Sequence, residues 1–159
     1  MDNKIKNLQK KTKVDMICSF IVALITVGIA IREFWTYVSM NGTDPKHLTN
    51  GIYSFFTFEI IFLLGLILLE VHKAGKPFSK KIINELRVLA VFIIIGGILP
   101  DIITTIITDV VNNTSSSIDI NFVLSTKNLI VSVIGVIIGI LSEIFVYGYE
   151  LQDDVDSIA

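Results

Sequence analysis

Four long apolar runs, separated by short polar links, dominate this chain of 159 residues. They cover residues 16–38, 52–71, 88–108 and 129–147. A helix needs about 20 predominantly apolar residues to cross the hydrocarbon core of a bilayer, and each run has roughly that length. A soluble domain keeps a polar face on its helices, which a chain with 52% hydrophobic residues cannot supply for four such helices. The sequence therefore predicts an all-α integral membrane protein, a four-helix bundle in contact with the lipid bilayer.

The basic residues are clustered, and the clusters predict how the chain is oriented. One cluster lies in an N-terminal tail, residues 1–15, and the other surrounds the link between the second and third runs, within residues 73–87. Because Lys and Arg concentrate on the cytoplasmic side of membrane proteins, both clusters and both termini are predicted to be cytoplasmic. The N-terminus also has the layout of a cleaved signal peptide, but its apolar character continues beyond Ala30 to Val38, which favours a spanning helix.

The second and fourth runs end in a similar way. Glu70 and Glu143 lie near the inner ends of these runs, and a glycine follows each of them five residues later. This spacing predicts two parallel copies of a two-span hairpin. The two glutamates are expected to pair with the neighbouring basic residues in an interfacial salt-bridge cluster.

The link between the second and third runs contains helix-ending and helix-starting residues. Gly75 and Pro77 are typical of a helix end, and Ser79 can cap a new helix that begins at Lys80. Two alternatives follow for residues 80–89. They form either a separate helix in the membrane interface or the protruding start of a longer third helix.

Asp101 is the residue of the apolar runs whose transfer into the bilayer costs the most free energy, because it is ionisable and lies near the middle of the third run. A charged side chain at bilayer depth costs about 2.5–3.5 kcal/mol even on the lenient insertion scale, so it needs a partner, water or a proton. Glu59 is its predicted counterpart, since each lies seven residues from the outer limit of its run. A polar stripe follows Asp101 on the same helix face: Thr104, Thr105 and Thr108. The pair forms either a proton or cation site or a structural contact that fixes helix register.

Small residues form a stripe on the fourth run, including Gly135 and Gly139 in a Gly-x-x-x-Gly pattern. Such residues let helix backbones approach closely in lipid. The stripe predicts either packing within the bundle or the contact face of a homo-oligomer.

No arrangement typical of an enzyme is found. The sequence contains no nucleophile–histidine–acid set, phosphate-binding loop, glycine fingerprint or Cys/His metal spacing. We therefore expect a protein that is not an enzyme, has no cofactor or metal, and does not bind nucleic acid directly.

Two motifs resemble those of a bacterial membrane family catalogued as domain of unknown function 2975. The first is Ala74-Gly75-Lys76-Pro77-Phe78-Ser79, and the second runs from Glu143 through an acidic tail at 148–159. The motif residues are Gly75, Pro77, Phe78, Gly148, Leu151, Gln152, Asp153 and Asp156. The resemblance implies four spans in a bacterial cell (inner) membrane and no established activity. Members of such families are often encoded beside small helix-turn-helix regulators, which implies a membrane partner for such a regulator.

Three functional hypotheses follow. The first is a regulatory or immunity-type protein whose cytoplasmic face, residues 73–87 and 150–156, binds a soluble partner such as a helix-turn-helix regulator. The acidic tail would either receive this basic partner or fold back on the basic link. The second is a small proton- or cation-coupled transporter using Glu59 and Asp101. The third is a structural subunit of a membrane complex, in contact with its neighbours through Gly135 and Gly139.

Overall fold

The computed structural model describes residues 2–74, 79–112 and 126–158, and these form four α-helices. The helices are α1 (Asp2–Ser39), α2 (Pro45–Ala74), α3 (Lys80–Asn112) and α4 (Thr126–Ile158). Each helix contains one predicted apolar run, and each is long and apolar enough to cross a membrane. The predicted all-α fold with four membrane-spanning helices is therefore confirmed, and the chain is a multi-pass membrane protein.

A tight turn joins α1 to α2. Asn41 and Gly42 adopt left-handed backbone conformations, with φ of 53° and 73°, and the Gly42 N–H donates to the Tyr37 carbonyl at 3.0 Å. Asp44 then caps α2, because its Oδ1 accepts a hydrogen bond of 3.0 Å from the Lys46 N–H. The short connection makes α1 and α2 an antiparallel hairpin.

Residues 80–89 belong to one long third helix. Ser79 caps this helix as predicted, since its Oγ accepts the Ile82 N–H at 3.2 Å. From Lys80 the helix continues through the buried Pro100 to Asn112. The structure therefore contains the longer third helix and not a separate interfacial helix.

The four helices pack as a row in chain order: α1 on α2, α2 on α3, and α3 on α4. Within the described residues, no close backbone approach joins α1 to α3 or α4, or α2 to α4. The third helix is consequently the most enclosed, with 33% of its most apolar stretch buried against 11% for α1 and for α4. A buried apolar cluster of Ile67, Ile82, Leu89 and Ile93 joins α2 to α3.

Neighbouring helices run antiparallel, which gives the row two ends. We call the end where α1 begins and α4 ends the terminal end, and the end with the α1–α2 turn the turn end. The two hairpins, α1–α2 and α3–α4, thus point the same way, and their origin as a sequence repeat stays a prediction.

Candidate functional site

Asp101 lies in a polar cluster that joins three helices near the turn end. The Asn128 Nδ2 of α4 donates to Asp101 Oδ2 at 2.5 Å. The Tyr53 hydroxyl of α2 lies 3.1 Å from the same carboxylate oxygen and 3.0 Å from Asn128 Oδ1. A hydroxyl has one proton, so Tyr53 donates to one of these two acceptors at a time. Asn128 is only 2% exposed, and Tyr53 and Asp101 are half-buried, so this cluster is a partly buried hydrogen-bonded junction of α2, α3 and α4.

The hydroxyl groups of the threonine stripe donate hydrogen bonds to backbone carbonyls within α3. The Thr104 hydroxyl donates to the Pro100 carbonyl at 2.8 Å, and the Thr105 hydroxyl donates to the Asp101 carbonyl at 2.9 Å. The Thr108 hydroxyl likewise lies within bonding distance of the Thr104 and Thr105 carbonyls. These bonds add a second donor to carbonyls at and beyond Pro100, a common local use of threonine hydroxyls in helices, whereas the carbonyl that loses its backbone donor to the proline is that of Gly96, one turn earlier. The stripe exists, but its donors are not directed at a ligand.

Glu59 does not meet Asp101, and the predicted pairing is corrected. The residue of α2 that reaches Asp101 is Tyr53, six positions earlier. Six residues displace Glu59 by about 9 Å along the helix and rotate it by about 120° from the direction of Tyr53. Glu59 is half-buried, and no hydrogen bond or ion pair joins it to another residue within the described part of the chain.

The predicted pairing assumed that Ile52 and Thr108, the outer limits of their apolar runs, lie at the same depth. The second helix actually begins at Pro45, seven residues before its apolar run, and Tyr53 is level with Asp101. Antiparallel packing of Gly96 against Phe56, where a Cβ on the glycine would lie 3.1 Å from the Phe56 Cβ, supports the same register.

Asp101 also lies nearer a border of the apolar region than its middle. Its partner Asn128 is in the first turn of α4, which begins at Thr126. From Asn128 to Glu143, which is ion-paired at the terminal end, the helix rises by about 23 Å. This distance is somewhat less than a hydrocarbon core of about 30 Å. The Asp101 cluster therefore suits one border of the hydrocarbon region, where a polar group costs less than at its centre.

A second polar group at the turn end was missed by the sequence reasoning. Glu33 of α1 is buried, at 7% exposure. Its Oε1 lies 2.6 Å from Arg32 Nη2, and its Oε2 lies 2.7 Å from His47 Nδ1 on α2. Asp44 Oδ2 is 3.9 Å from the other ring nitrogen of His47. The sequence did contain a signal for this contact. Glu33 is an acidic residue near the end of an apolar run, and His47 follows it by fourteen positions with a turn motif between them.

Ion pairs at the terminal end join neighbouring helices. Lys81 Nζ lies 2.6 Å from Glu70 Oε2, which links α3 to α2. Arg87 places Nη2 at 2.9 Å and Nε at 3.0 Å from Glu143 Oε1, which links α3 to α4. Both predicted glutamates thus have basic partners, each on α3.

The C-terminal tail continues α4 as a helix to Ile158. Glu150 and Asp153 line a groove together with Lys80 and Arg87 near the start of α3. Lys80 Nζ lies 5.5 Å from the centroid of the Tyr149 ring. The tail therefore lies beside the basic start of α3 as a continuation of α4, and whether it also contacts the link at 75–78 stays a prediction.

The family motifs are described only in part. Gly148, Leu151, Gln152 and Asp153 lie on α4. Gly75, Pro77 and Phe78 lie outside the described residues, as does the side chain of Asp156. The prediction that both motifs lie on one cytoplasmic face therefore stays a prediction.

The small-residue stripe of α4 faces α3. A Cβ on Gly135 would lie 2.6 Å from Ile94 Cγ1 and 2.9 Å from the Ala90 carbonyl oxygen. One on Gly139 would meet the Ala90 Cβ at 3.7 Å, and Ser142 is fully buried. Gly135 and Gly139 thus pack within the chain, and α3 occupies the face that the homo-oligomer and subunit alternatives required.

Comparison with protein-family models, curated proteins and solved structures gives no match. Within residues 2–74, 79–112 and 126–158, no group of three or more His, Cys, Asp or Glu side chains could hold a metal ion.

Proposed function

We propose that this chain is a non-enzymatic regulatory or immunity-type protein of a bacterial cell membrane, which binds a soluble partner at its terminal end. The observation that carries the proposal is an apolar ridge on the last turns of α4. The ridge consists of Tyr147, Leu151 and Val155, which are 68%, 67% and 66% exposed. Their spacing of four residues puts them on one helix face.

Part of the ridge, Leu151 and Val155, lies beyond the predicted apolar run of α4, which ends at Tyr147. Val155 lies twelve residues beyond Glu143, which corresponds to about 18 Å of helical rise. Exposed apolar side chains in regular helical spacing are typical of a helix that binds a partner groove. On the predicted orientation, this segment is in the cytoplasm, where a soluble protein can reach it.

Charges beside the ridge define the chemistry of the partner. Glu150 and Asp154 are exposed on the same turns. A complementary surface would be apolar at its centre and basic at its rim. A helix-turn-helix regulator has the required basic surface, and binding there would compete with its contact to DNA phosphates. The resemblance to domain of unknown function 2975 supports the same class of partner.

The alternatives have less support. Transport through a shared two-carboxylate site would need Glu59 and Asp101 together, and they lie at different depths. A subunit contact through Gly135 and Gly139 would need a face that packs against α3.

The proposal is tested by placing a photo-crosslinking amino acid at Leu151 in the full chain, expressed in its native membrane. We expect one basic soluble protein to be crosslinked, and Val155→Asp to abolish the product by putting a charge into the apolar contact. Gln152→Asp adds the same charge off the line of the ridge, about 60° from Val155 and about 100° from Leu151 around the helix, and should leave the crosslink intact.

Loss of residues 149–159 should abolish recovery of the same protein from solubilised membranes. Unchanged recovery, or equal effects of Val155→Asp and Gln152→Asp, would refute binding by the ridge. Reporter enzymes fused after Ala159 test the orientation independently, since a reporter active only outside the cytoplasm would contradict it.

A further inference from the structure

A groove follows the seam between α3 and α4 and changes character along its length. Its deeper part is apolar, with a volume of about 410 Å³, and is lined by Ala90, Ile94 and Gly139 among others. Its part at the terminal end is polar, with a volume of about 440 Å³. Arg87 lines both parts. The seam therefore offers one elongated site with a charged head and an apolar body.

The apolar part has the length and position expected for a lipid chain. On α4 it extends from Gly135 to Glu143, a helical rise of about 12 Å. One leaflet of a bilayer contributes about 15 Å of hydrocarbon, half of a core of about 30 Å. The rim residues Val91 and Val136 are 52% and 51% exposed, so the groove opens toward the surroundings of the row. The missing side chain of Gly139 provides space on the α4 wall.

The polar part combines both signs of charge. Lys80 and Arg87 supply cations, and Glu150 and Asp153 supply carboxylates. Arg87 uses Nε and Nη2 to bind Glu143 but has five N–H donors, so donors remain for another acceptor. A purely anionic headgroup would be attracted to the two cations and repelled by the two carboxylates. A headgroup that contains a phosphate and an ammonium matches all four charges.

We propose that the α3–α4 seam binds one aminophospholipid, a zwitterionic lipid with a phosphate and a primary ammonium in its headgroup. The phosphate lies toward Lys80 and Arg87, the ammonium toward Glu150 and Asp153, and one acyl chain follows the groove past Gly139. A primary ammonium has three N–H donors for carboxylates, whereas a quaternary ammonium has none. Asp153 lies about 160° around α4 from Leu151, and only Glu150 borders both surfaces. Variants at Leu151 and Val155 test the ridge and variants at Gly139 and Asp153 test the seam, so each proposal can fail without the other.

The test is native mass spectrometry of the full chain in detergent, titrated with phosphatidylethanolamine, phosphatidylcholine or phosphatidylglycerol with the same acyl chains. We expect phosphatidylethanolamine to bind about tenfold more tightly than the other two, as charge-assisted hydrogen bonds imply. The Asp153→Asn variant should lose much of the preference for phosphatidylethanolamine over phosphatidylcholine. Lys80→Gln should weaken the binding of all three lipids.

The apolar part has a matched pair of variants. Gly139→Leu puts a side chain into the groove and should lower phosphatidylethanolamine binding about tenfold. Gly28→Leu adds the same side chain on α1, where a Cβ has nothing within 4 Å, and should leave binding unchanged.

Equal binding of the three lipids, preference for phosphatidylglycerol, or equal binding by the two leucine variants would each overturn the proposal. If Gly139→Leu fails to fold, as judged by loss of helical circular dichroism, Asp153→Asn decides the matter. Its side chain is exposed, so this replacement leaves the packing of α4 unchanged.

Discussion

Loss of the Tyr53 hydroxyl is expected to destabilise the helix row by about 1 kcal/mol. Hydrogen bonds between membrane helices contribute about 0.6 kcal/mol on average and up to about 1.7 kcal/mol. The Tyr53→Phe variant removes the contacts of 3.1 Å and 3.0 Å and keeps the ring in place. Replacement of Asn128 by leucine should cost more, about 2 kcal/mol, because it removes the 2.5 Å bond to Asp101 from a side chain that is 2% exposed.

The two effects should not be additive, since both residues act on the same carboxylate oxygen. After Asn128→Leu, the tyrosine hydroxyl has only Asp101 as its acceptor within this cluster. We therefore expect the double variant to differ from the sum of the single variants by about 0.5 kcal/mol or more. The free energy of unfolding can be measured in mixed micelles by titration with a denaturing detergent, followed by circular dichroism.

Tyr147→Phe is the matched control, because its side chain is 68% exposed on α4. Its effect should fall within about 0.5 kcal/mol, as for other surface substitutions. Strict additivity of Tyr53→Phe and Asn128→Leu, or equal effects of the two tyrosine variants, would refute the claim that this cluster fixes the register of α2, α3 and α4.

Two further predictions use glycine and serine replacements in the same unfolding assay. Gly135→Ala should lower the free energy of unfolding by about 1–3 kcal/mol through overpacking, because the added Cβ would lie 2.9 Å from the Ala90 carbonyl oxygen. Gly28→Ala has open space for its Cβ and should not destabilise the protein. Equal effects of the two variants would contradict the packing of α4 on α3. Ser79→Ala should lower the free energy of unfolding by about 1 kcal/mol, because it removes the cap of α3. Ser39→Ala should change stability little, because the Ser39 hydroxyl donates to a carbonyl of its own helix. An unchanged stability of Ser79→Ala would show that the cap does not stabilise α3.

The helices could be predicted from the sequence because their cause is local. A run of about 20 apolar residues satisfies its backbone hydrogen bonds in lipid only as a helix or as part of a closed barrel. Capping is equally local, so Ser79 was identified as the residue before α3. The predicted face of Gly135 and Gly139 is also a property of one helix, although whether α3 or another chain would cover it was left open.

The partners of the polar residues near the turn end could not be predicted, because they depend on how far one helix slides along another. A shift of six residues moves a side chain by about 9 Å, and the limits of an apolar run do not fix this shift. Pro45 and its cap at Asp44 start α2 well before its apolar run, which puts Tyr53 opposite Asp101. The buried Glu33 was missed for a related reason, since its partner His47 approaches only through the α1–α2 turn.

The separation of Glu59 from Asp101 changes which residue matters for a membrane function. On α2, an apolar stretch from Tyr53 to Glu70 lies between the polar cluster at the turn end and the ion pairs at the terminal end. Among the ionisable side chains that the structure describes on this stretch, Glu59 is the one between the two polar levels. A charge there costs about 2.5–3.5 kcal/mol on the lenient scale, and no described residue pairs with it to offset this cost. Asp101 has donors from two helices, which explains its presence structurally, so any search for proton or cation movement should begin with Glu59→Gln and use Asp101→Asn as its comparison.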